Sequence, residues 1–458
     1  MKMILEKIRS EGLAHLSYII SHGGRAAVVD PRRDCRIYRD IAARHGAAIT
    51  HVFETHRNED YVSGANALAQ KTGATVYHGR AMDFGYGRPA SEGDEFELGD
   101  LVLRVIETPG HTYESISISV ADRGFGDTPV AVFTGDALFC GDVGRTDFFP
   151  DKAEEVAGLL YDSLFDKLLP LGDQVIVLPA HGAGSVCGSG MADREFTTIG
   201  YERRNNPALQ KSGREAFIRY KTAEHHYQPP YFREMERLNK TGSAPAASAG
   251  RFPPPLGPDA FDAAMQDGMA VIDVRSAEAF AGAFIPGSLA IPLEMVSSYA
   301  GWFLSHEGPL GIVADRYEDA AQAQTFLMRL GYDRVKGYLE NGLTAWEVSG
   351  RRYDRIPAVH ASETVERTQE AREATLLDVR KKEEVEAGRL PHGRHLFLGH
   401  LPRKLMEIPA DKPVITFCGS GQRAIIAASI LKRSGFAKVE NSLGSMAACT
   451  AVGCPLVT

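Results

Sequence analysis

The C-terminal part of the chain contains an internal repeat with a period of about 104 residues, which is too long for a solenoid and suits two tandem small domains. The sequence Val-Ile-Asp-Val-Arg at 271–275 recurs as Leu-Leu-Asp-Val-Arg at 376–380. In both copies an apolar strand, at 310–314 or 414–418, then leads into a helix. The repeat predicts two α/β units, each with a loop at the carboxyl end of a strand, where open parallel sheets bind ligands.

The length of 458 residues predicts about three domains, because one hydrophobic core usually serves roughly 100–200 residues. The stretch 242–258 is rich in small residues and then in proline, which is the composition of a linker. A second boundary falls near residue 355. We therefore predict domains at 1–241, 259–355 and 356–458.

The composition argues against nucleic-acid binding and against membrane insertion. The formal net charge is -8, and no basic run with interleaved aromatic residues occurs. No stretch approaches the ~20 apolar residues of a membrane span, and the N-terminus lacks the apolar core of a signal peptide. The six cysteines are scattered, which argues against a disulfide scaffold. We expect a cytoplasmic homo-oligomer that acts on small molecules.

In the first 235 residues, strand-like runs alternate with helical stretches such as 61–72, which predicts a layered α/β domain. Five short segments rich in His, Asp and Gly occur among them: Thr-His-Arg-Asn-Glu-Asp-Tyr at 55–61, Thr-Pro-Gly-His at 108–111, Thr-Gly-Asp at 134–136, Gly-Arg-Thr-Asp at 144–147 and Pro-Ala-His at 179–181. In this order they resemble the metallo-β-lactamase superfamily. The resemblance implies an αββα sandwich, followed here by the two repeat units.

The resemblance also implies a metal site with His56, His111 and Asp136 as ligands. Asn58 and Tyr61 stand where members that bind two metals have histidines. Two histidines and one carboxylate form the donor set typical of non-heme Fe(II) that activates O₂. We therefore expect one Fe(II) per chain, with zinc as the alternative.

Three further residues of these segments are expected beside the metal: Asp60, Tyr61 and His181. Tyr61 would cover the position of the lost second metal, while Asp60 and His181 would hydrogen-bond the ligands. The alternative is a weakly held second ion on Asp60, Asp136 and His181.

Within the superfamily the chain resembles most the persulfide dioxygenases, which share the glyoxalase II fold but use one iron to oxidise a thiol persulfide to sulfite. The residues that carry this likeness are Arg145 in Gly-Arg-Thr-Asp and Arg203 before Asn-Pro at 206–207. Both arginines are candidates for binding the anionic substrate, and the alternative is a structural ion pair for either. The loop after His181 lacks the aromatic residue of the glutathione-using members, so the identity of the thiol that carries the persulfide sulfur is not predicted.

Two other stretches resemble the branch in which this dioxygenase is fused to two rhodanese units. One is Gly-Ala-Gly-Ser-Val-Cys-Gly at 182–188, where Cys187 is either a persulfide carrier near the iron or an unreactive thiol. The other is the aromatic run at 226–232, which either caps the pocket or packs against the linker.

The second repeat unit carries Cys418 and Arg423 in a sequence that resembles the Cys-x-x-Gly-x-Arg loop of active rhodaneses. Glycines in such a loop let backbone N–H groups point at the sulfur, and the following helix N-terminus favours the thiolate. Arg423 adds positive charge for sulfite or thiosulfate. The residues between Cys418 and Arg423 form the predicted anion-binding loop: Gly419, Ser420, Gly421 and Gln422.

The first repeat unit has Ala314 at the position of Cys418, followed by an acidic loop at 315–319. It lacks the nucleophile, the glycines and the arginine. We predict a catalytically inactive rhodanese unit that serves as a scaffold or docking unit.

Together these features predict an enzyme in which a thiol persulfide and O₂ yield thiol and sulfite at the iron. Cys418 would then move sulfane sulfur onto sulfite to form thiosulfate, or work in the reverse direction. Two alternatives are a glyoxalase II-like thioester hydrolase fused to a rhodanese and a non-catalytic carrier of sulfane sulfur.

Overall fold

The computed structural model describes residues 2–185, 188, 190–243, 245–246, 250–368 and 373–457. The chain forms two compact units, Met1–Gly250 with Met328–Gly331, and Arg251–Leu327 with Tyr332–Thr458. Among the described residues, no helix has both the length and the apolar character needed to cross a bilayer.

The first unit contains two six-stranded sheets. Their strands are β1 Ile4–Ser10, β2 His15–His22, β3 Arg25–Val29, β4 Ala48–Glu54, β5 Thr75–Gly79, β6 Arg88–Ala90, β7 Glu95–Leu98, β8 Leu101–Glu107, β9 Ile116–Asp122, β10 Pro129–Gly135, β11 Ile176–Pro179 and β12 Thr197–Thr198. The helices are α1 Arg36–Arg44, α2 Ala65–Thr72, α3 Ala153–Asp162, α4 Ile199–Asn205, α5 Arg214–Thr222 and α6 Phe232–Thr241. The strand orders are β1-β2-β3-β4-β5-β6 and β12-β11-β10-β9-β8-β7.

The two sheets pack face to face, and each is covered by helices on its other face. Successive residues of a strand point to opposite faces, so Phe133 of β10 packs between the sheets while its neighbour Val132 packs against Leu160 of α3. On the other side, Val28 of β3 packs against Tyr38 of α1. This arrangement confirms the predicted αββα sandwich.

The second unit contains two five-stranded parallel sheets. Their strands are β13 Pro255–Leu256, β14 Ala270–Asp273, β15 Leu289–Ala290, β16 Leu310–Val313, β17 Val335–Leu339, β18 Ala358–Val359, β19 Thr375–Asp378, β20 Arg394–His395, β21 Val414–Phe417 and β22 Val439–Ser442. The helices are α7 Pro258–Gln266, α8 Ala277–Gly282, α9 Val296–Phe303, α10 Tyr317–Arg329, α11 Gly342–Val348, α12 Ala361–Thr368, α13 Lys382–Glu386, α14 Gln422–Arg433 and α15 Ser445–Ala451.

The internal repeat is confirmed by the topology, because the strand orders β13-β17-β16-β14-β15 and β18-β22-β21-β19-β20 are equivalent. The repeated Asp-Val-Arg has one structural role in both copies. Arg275 donates to Asp273 Oδ2 at 2.6 Å, and Arg380 donates to Asp378 Oδ2 at 2.6 Å. These arginines fix the turn after the strand, so the repeated sequence is explained by packing rather than by catalysis.

Two boundaries differ from the sequence prediction. The predicted linker 242–258 extends too far, because Pro255–Leu256 pairs with β17, where Leu256 accepts from the N–H of Glu340 at 3.0 Å. A proline can join such an edge strand because its carbonyl still accepts a hydrogen bond.

The predicted helix over 61–72 begins only at Ala65. The residues just before it are buried. The Asn239 side chain hydrogen-bonds their backbone, because it donates to the Tyr61 carbonyl at 2.8 Å and accepts from the Ser63 N–H at 2.8 Å. This long-range contact replaces the hydrogen bonds of a helical turn.

Candidate metal centre and cysteine loop

The three predicted metal ligands come together at the carboxyl ends of the strands of the first unit. Asp136 Oδ2 lies 3.6 Å from His56 Nε2 and 3.4 Å from His111 Nε2, and all three side chains are buried. Gly135, just before Asp136, has a φ of 53°, and a Cβ there would lie 2.6 Å from Thr55 Oγ1. A glycine is therefore required for this close approach of the two ligand loops.

The facing atoms of this cluster fit a metal ion. Within the described part of the chain, His56 Nε2, His111 Nε2 and Asp136 Oδ2 are buried and have no hydrogen-bond partner. Buried polar atoms without partners are costly, and metal coordination is a common way of satisfying a set of nitrogens and oxygens like this one. The donor set thus supports metal binding by the chain.

The other ring nitrogens hold the two imidazoles in this orientation. His56 Nδ1 lies 2.9 Å from Thr55 Oγ1, and that hydroxyl donates to Asp30 Oδ2 at 2.8 Å. His111 Nδ1 donates to the Arg145 carbonyl at 3.0 Å. With Nδ1 engaged, each ring presents Nε2 to the cluster, as metal-binding histidines commonly do.

Electrostatics favours the ligand forms of two of these residues. Burial lowers the pKa of His56 to about 4, so this imidazole is neutral near pH 7. Burial alone would raise the pKa of Asp136, but the charges of His181 and His56 lower it well below its usual value. Burial would lower the pKa of His111, yet the carboxylates of Glu59 and Asp136 outweigh burial and raise it. A positive charge is therefore stabilised between these carboxylates.

Asp60 and His181 lie beside the ligands as predicted. His181 Nδ1 is 2.7 Å from Asp136 Oδ1, and its Nε2 is 3.1 Å from Asp60 Oδ2. Burial would lower the pKa of His181, but Asp136 and Asp60 raise it well above its usual value. Both ring nitrogens of His181 are engaged by these carboxylates, so neither is turned toward a second metal ion.

Tyr61 packs against His15, whose ring also lies beside His181. Its ring lies 4.0 Å from the ring of His15, and its hydroxyl is 3.5 Å from the Asp30 carbonyl oxygen. The nearby run 226–232 also reaches the cluster, because the Tyr231 hydroxyl donates to the Asp60 carbonyl at 3.2 Å. The two roles predicted for this run, capping the pocket and packing against the linker, stay predictions.

The two candidate substrate arginines are both engaged in ion pairs. Arg145 is buried and donates from Nε and Nη2 to the two carboxylate oxygens of Asp147, each at 2.6 Å. Arg203 is on α4, half exposed, and donates to Asp173 at 2.9 Å. Arg145 adjoins the metal cluster through its carbonyl, whereas Arg203 donates to Asp173 and to the Leu169 carbonyl. Their substrate roles remain predictions, and Cys187 lies outside the described residues.

Glu59 is a buried acid of the first ligand loop that the sequence reasoning missed. Its Oε2 lies 3.7 Å from His111 Nε2 and, among the described residues, has no hydrogen-bond partner. The superfamily pattern places no ligand at this position, so the resemblance gave no reason to select it. The sequence feature that could have indicated Glu59 is its acidic side chain within the first metal-binding segment.

The predicted cysteine loop is at the carboxyl end of β21. Cys418 Sγ accepts a hydrogen bond from the Gly421 N–H at 3.0 Å, and the Cys418 N–H donates to Ser445 Oγ at 3.0 Å. Gly421 has a φ of 99° and precedes the first residue of α14, Gln422. One backbone donor and a helix N-terminus therefore face the sulfur, while Ser420 is exposed.

Arg423 is braced by residues from two directions. Its Nη1 and Nη2 donate to the two carboxylate oxygens of Glu384 at 2.6 and 2.7 Å. Its charge also acts on the nearby hydroxyl of Tyr299, a residue of α9 in the first repeat unit. Glu384 neutralises part of the charge expected to attract anions, and neither Glu384 nor Tyr299 was predicted to act on Arg423.

The equivalent loop of the first repeat unit carries no thiol. Ala314 follows β16 at the position of Cys418 and is buried. The next arginine, Arg316, pairs with Asp319 at 2.9 Å rather than facing Ala314.

Two cysteines outside the loop are expected to be unreactive in the folded protein. Burial raises the pKa of Cys140 to about 11 and that of Cys449 to about 12. At pH 8 their thiolate fractions are on the order of 10⁻³ and 10⁻⁴, and the thiolate is the reactive form. We expect no modification of either residue by iodoacetamide at pH 8 until the protein is unfolded, as measured by peptide mass spectrometry. Rapid modification of either in the native protein would contradict the structure.

The comparisons with known proteins agree with this architecture. Residues 11–181 match the metallo-beta-lactamase superfamily, and residues 257–349 and 361–451 each match the rhodanese-like domain. The chain is 33% identical over 215 residues to the uncharacterized protein ML0493 of Mycobacterium leprae, covering 41% of this chain and 89% of that protein. Three other mycobacterial proteins are matched over 46% of their own length, so the chain spans about half of each.

Two further relatives have a stated activity or a solved structure. Hydroxyacylglutathione hydrolase GloC of Haemophilus influenzae is 27% identical over 206 residues, covering 40% of this chain and 87% of that enzyme. The crystal structure of a metallo-beta-lactamase from Staphylococcus aureus subsp. aureus COL has a TM-score of 0.67 at 29% identity, covering 74% of this chain and 99% of that chain. The chain therefore belongs to the metallo-β-lactamase superfamily through its N-terminal unit and carries two tandem rhodanese-like domains after it.

Proposed function

We propose that the chain is a non-heme iron persulfide dioxygenase coupled to a rhodanese-type sulfurtransferase, and that it detoxifies sulfide and sulfane sulfur. The observation that carries the proposal is the cluster of His56, His111 and Asp136, whose unpaired atoms face one another beside His181, a residue with both ring nitrogens hydrogen-bonded to carboxylates. Such a site suits one metal ion rather than two. The cysteine loop of the second rhodanese-like domain supports a sulfur compound as the substrate, because a rhodanese-type loop handles sulfane sulfur.

The first reaction is the oxidation of a thiol persulfide. One thiol persulfide, one O₂ and one water give one thiol, one sulfite and two protons. The terminal sulfur loses four electrons, and O₂ accepts four. A ferrous ion held by the two histidines and the aspartate would supply the redox chemistry that joins O₂ to the sulfur.

The residues around the cluster orient the ligands and hold protons for this reaction. His181 bridges Asp136 and Asp60 and keeps Asp136 turned toward the two imidazoles. The ring of Phe148 lies edge-on to His111, with 5.1 Å between the centroids, which adds an apolar wall beside the ligand.

The second reaction takes place at Cys418. Its thiolate attacks the outer sulfur of a persulfide, the thiol carrier leaves, and a persulfide forms on Cys418. Sulfite then attacks the outer sulfur, the S–S bond breaks, and thiosulfate leaves together with a restored Cys418 thiolate. The Gly421 N–H at Sγ stabilises the negative sulfur that both steps require. The reverse direction, from thiosulfate to persulfide, uses the same atoms.

A thioester hydrolase is the second candidate, because hydroxyacylglutathione hydrolase GloC matches the N-terminal unit. Hydrolysis by a two-metal site needs a second ion about 3.5–4 Å from the first. Here Asn58 and Tyr61 replace two potential ligands, and both ring nitrogens of His181 are engaged by Asp136 and Asp60. A pure carrier of sulfane sulfur is the third candidate, and it would show no turnover at all.

The candidates separate in a metal and substrate assay on protein purified without oxygen. We expect about one iron per chain, O₂ uptake when a thiol persulfide is added, and no cleavage of a glutathione thioester. Two zinc ions per chain with thioester cleavage would contradict the proposal and favour the hydrolase. No turnover of any substrate would favour the carrier.

The contact of Tyr299 with Arg423 gives a prediction for substrate binding at Cys418. Burial raises the pKa of Tyr299 to about 12, so its hydroxyl stays protonated and can hydrogen-bond near neutral pH. Removing a polar neighbour of the Arg423 charge should cost about as much as one hydrogen bond, about 0.5–1.5 kcal/mol, so Tyr299→Phe should raise the KM for thiosulfate about 2–10-fold with a smaller change in kcat. Tyr353→Phe, a half-exposed site in the same rhodanese-like domain, is the control. Equal KM values in the two variants would show that Tyr299 does not position Arg423.

A further inference from the structure

We propose that Glu59 is a fourth ligand of the metal, so that the site is built from two histidines and two carboxylates. The inference rests on the metal that the proposed function places at this site, and not on the reaction catalysed there. It departs from the three-residue donor set that the sequence predicts.

The position of Glu59 is fixed from the side opposite to the cluster. Its side chain has no exposed surface, and its Oε1 accepts a hydrogen bond from Arg57 Nη2 at 3.1 Å. Arg57 itself is held by Glu236 at 3.2 Å and by its backbone N–H, which donates to Glu114 at 2.9 Å. Because Arg57 engages Oε1, the other oxygen, Oε2, is turned toward the two histidines.

Buried oxygens of Glu59 and Asp136 both lie close to the two histidine nitrogens. His56 Nε2, His111 Nε2 and a Glu59 oxygen all lie within 4.8 Å of one another. Asp136 Oδ2 lies 3.4 and 3.6 Å from the two nitrogens, and Glu59 Oε2 lies 3.7 Å from His111 Nε2. In the described residues all four atoms lack a hydrogen-bond partner.

These separations match those of ligands that share one ion. Donor atoms about 2.1 Å from a metal are about 3.4 Å apart in a tetrahedral site and at most about 4.2 Å apart in any geometry. The measured contacts of 3.4–3.7 Å lie between these limits. A hydrogen bond would instead bring Glu59 and His111 to about 2.7–3.2 Å.

The charges point in the same direction. The Arg57 guanidinium donates to Glu59 Oε1 at 3.1 Å and pairs with its carboxylate. Leaving a buried carboxylate oxygen without a partner costs several kcal/mol in general, and a cation between Glu59 and Asp136 removes this cost. Two carboxylates balance the charge of a divalent cation, and their oxygens favour Fe(II) over softer ions.

Cobalt binding tests the inference without any activity measurement. Metal-free full-length protein is titrated with Co(II), and the affinity and the visible d–d spectrum are recorded for the wild type, Glu59→Ala and Glu59→Gln. Glu215→Gln, an exposed acid on α5, is the control. We expect Glu59→Ala to weaken Co(II) binding at least ~10-fold and to shift the d–d bands, with no change for Glu215→Gln.

Glu59→Gln keeps the shape of the side chain and a neutral oxygen, so it separates ligation from folding. Weakened binding and a shifted spectrum in this variant, with wild-type circular dichroism, support ligation even if Glu59→Ala does not fold. Wild-type affinity and spectrum in Glu59→Gln and Glu59→Ala would overturn the inference alone. A wild-type protein that binds no Co(II) would overturn both the inference and the metal site of the proposed function.

Discussion

Replacing Cys418 with serine should abolish sulfur transfer from thiosulfate to cyanide, with a loss of at least ~10³-fold, while O₂ uptake with a thiol persulfide persists. Loss of a nucleophile typically costs this much or more, and a serine oxygen cannot carry sulfane sulfur. The Gly421 N–H, which points at Sγ, would face a hydroxyl of much lower nucleophilicity. Steady-state cyanolysis and an oxygen electrode measure the two activities in the same preparation.

The products of the Cys418→Ser variant provide a second readout. With the transfer step blocked, sulfite should accumulate in place of thiosulfate when persulfide and O₂ are supplied. Cys454→Ser, which removes a half-buried thiol of the same domain, is the control and should behave as the wild type. Undiminished thiosulfate formation from enzymatic sulfite in Cys418→Ser would show that another group carries the sulfur.

Replacing Asp136 with alanine should remove the metal and the persulfide-dependent O₂ uptake, but should leave sulfur transfer at Cys418. Asp136 Oδ2 faces both ligand nitrogens, and Oδ1 holds His181 at 2.7 Å. The substitution therefore removes one metal ligand and also removes the hydrogen-bond partner of His181 Nδ1. We expect the metal affinity to fall at least ~100-fold, since even groups that only support ligands contribute 10–100-fold.

Metal quantification after anaerobic purification, with rhodanese activity as the measure of folding, tests this expectation. Asp127→Ala, at an exposed turn, is the matched control. An Asp136→Ala protein with a full complement of iron and normal O₂ uptake would show that the cluster is not the metal site.

The first rhodanese-like domain contacts the second at helix α14, the helix that follows the cysteine loop. Helix α14, which begins at the cysteine loop, is buried along its length, and its Ser429 Oγ accepts from the Ala290 N–H of the first domain at 3.1 Å. A Cβ on Gly399 would lie 2.5 Å from the Trp302 ring, so these segments are in close contact. These contacts join the two rhodanese-like domains, while the role of the first as a scaffold or docking unit stays a prediction.

The sequence was sufficient for the features that depend on local pattern. The repeat at 271–275 and 376–380 predicted two equivalent sheets, because strand, turn and helix signals recur in the same order in both copies. The cluster of His56, His111 and Asp136 was also predictable, since each residue closely follows the end of a strand. Loops at the carboxyl ends of neighbouring strands meet at one end of the sandwich.

The missed features depend on contacts between residues far apart in the chain. The late start of α2 results from Asn239, nearly 180 residues away, whose amide occupies the backbone groups of Tyr61 and Ser63. Glu59 was missed because its direction is set by Arg57 and not by its place in the motif. Tyr299 lies in the other repeat unit from Arg423, and no local pattern relates the two.

The ratio of O₂ consumed to sulfite formed is the most direct test of the central claim that the metal centre oxidises persulfide sulfur. The measurement uses iron-containing wild-type protein and a thiol persulfide, with sulfite and thiosulfate summed as products. We predict one O₂ per sulfite equivalent, because the four electrons lost by the sulfur match the four accepted by O₂. Product formation without O₂ uptake, or O₂ uptake without sulfite or thiosulfate, would contradict the account.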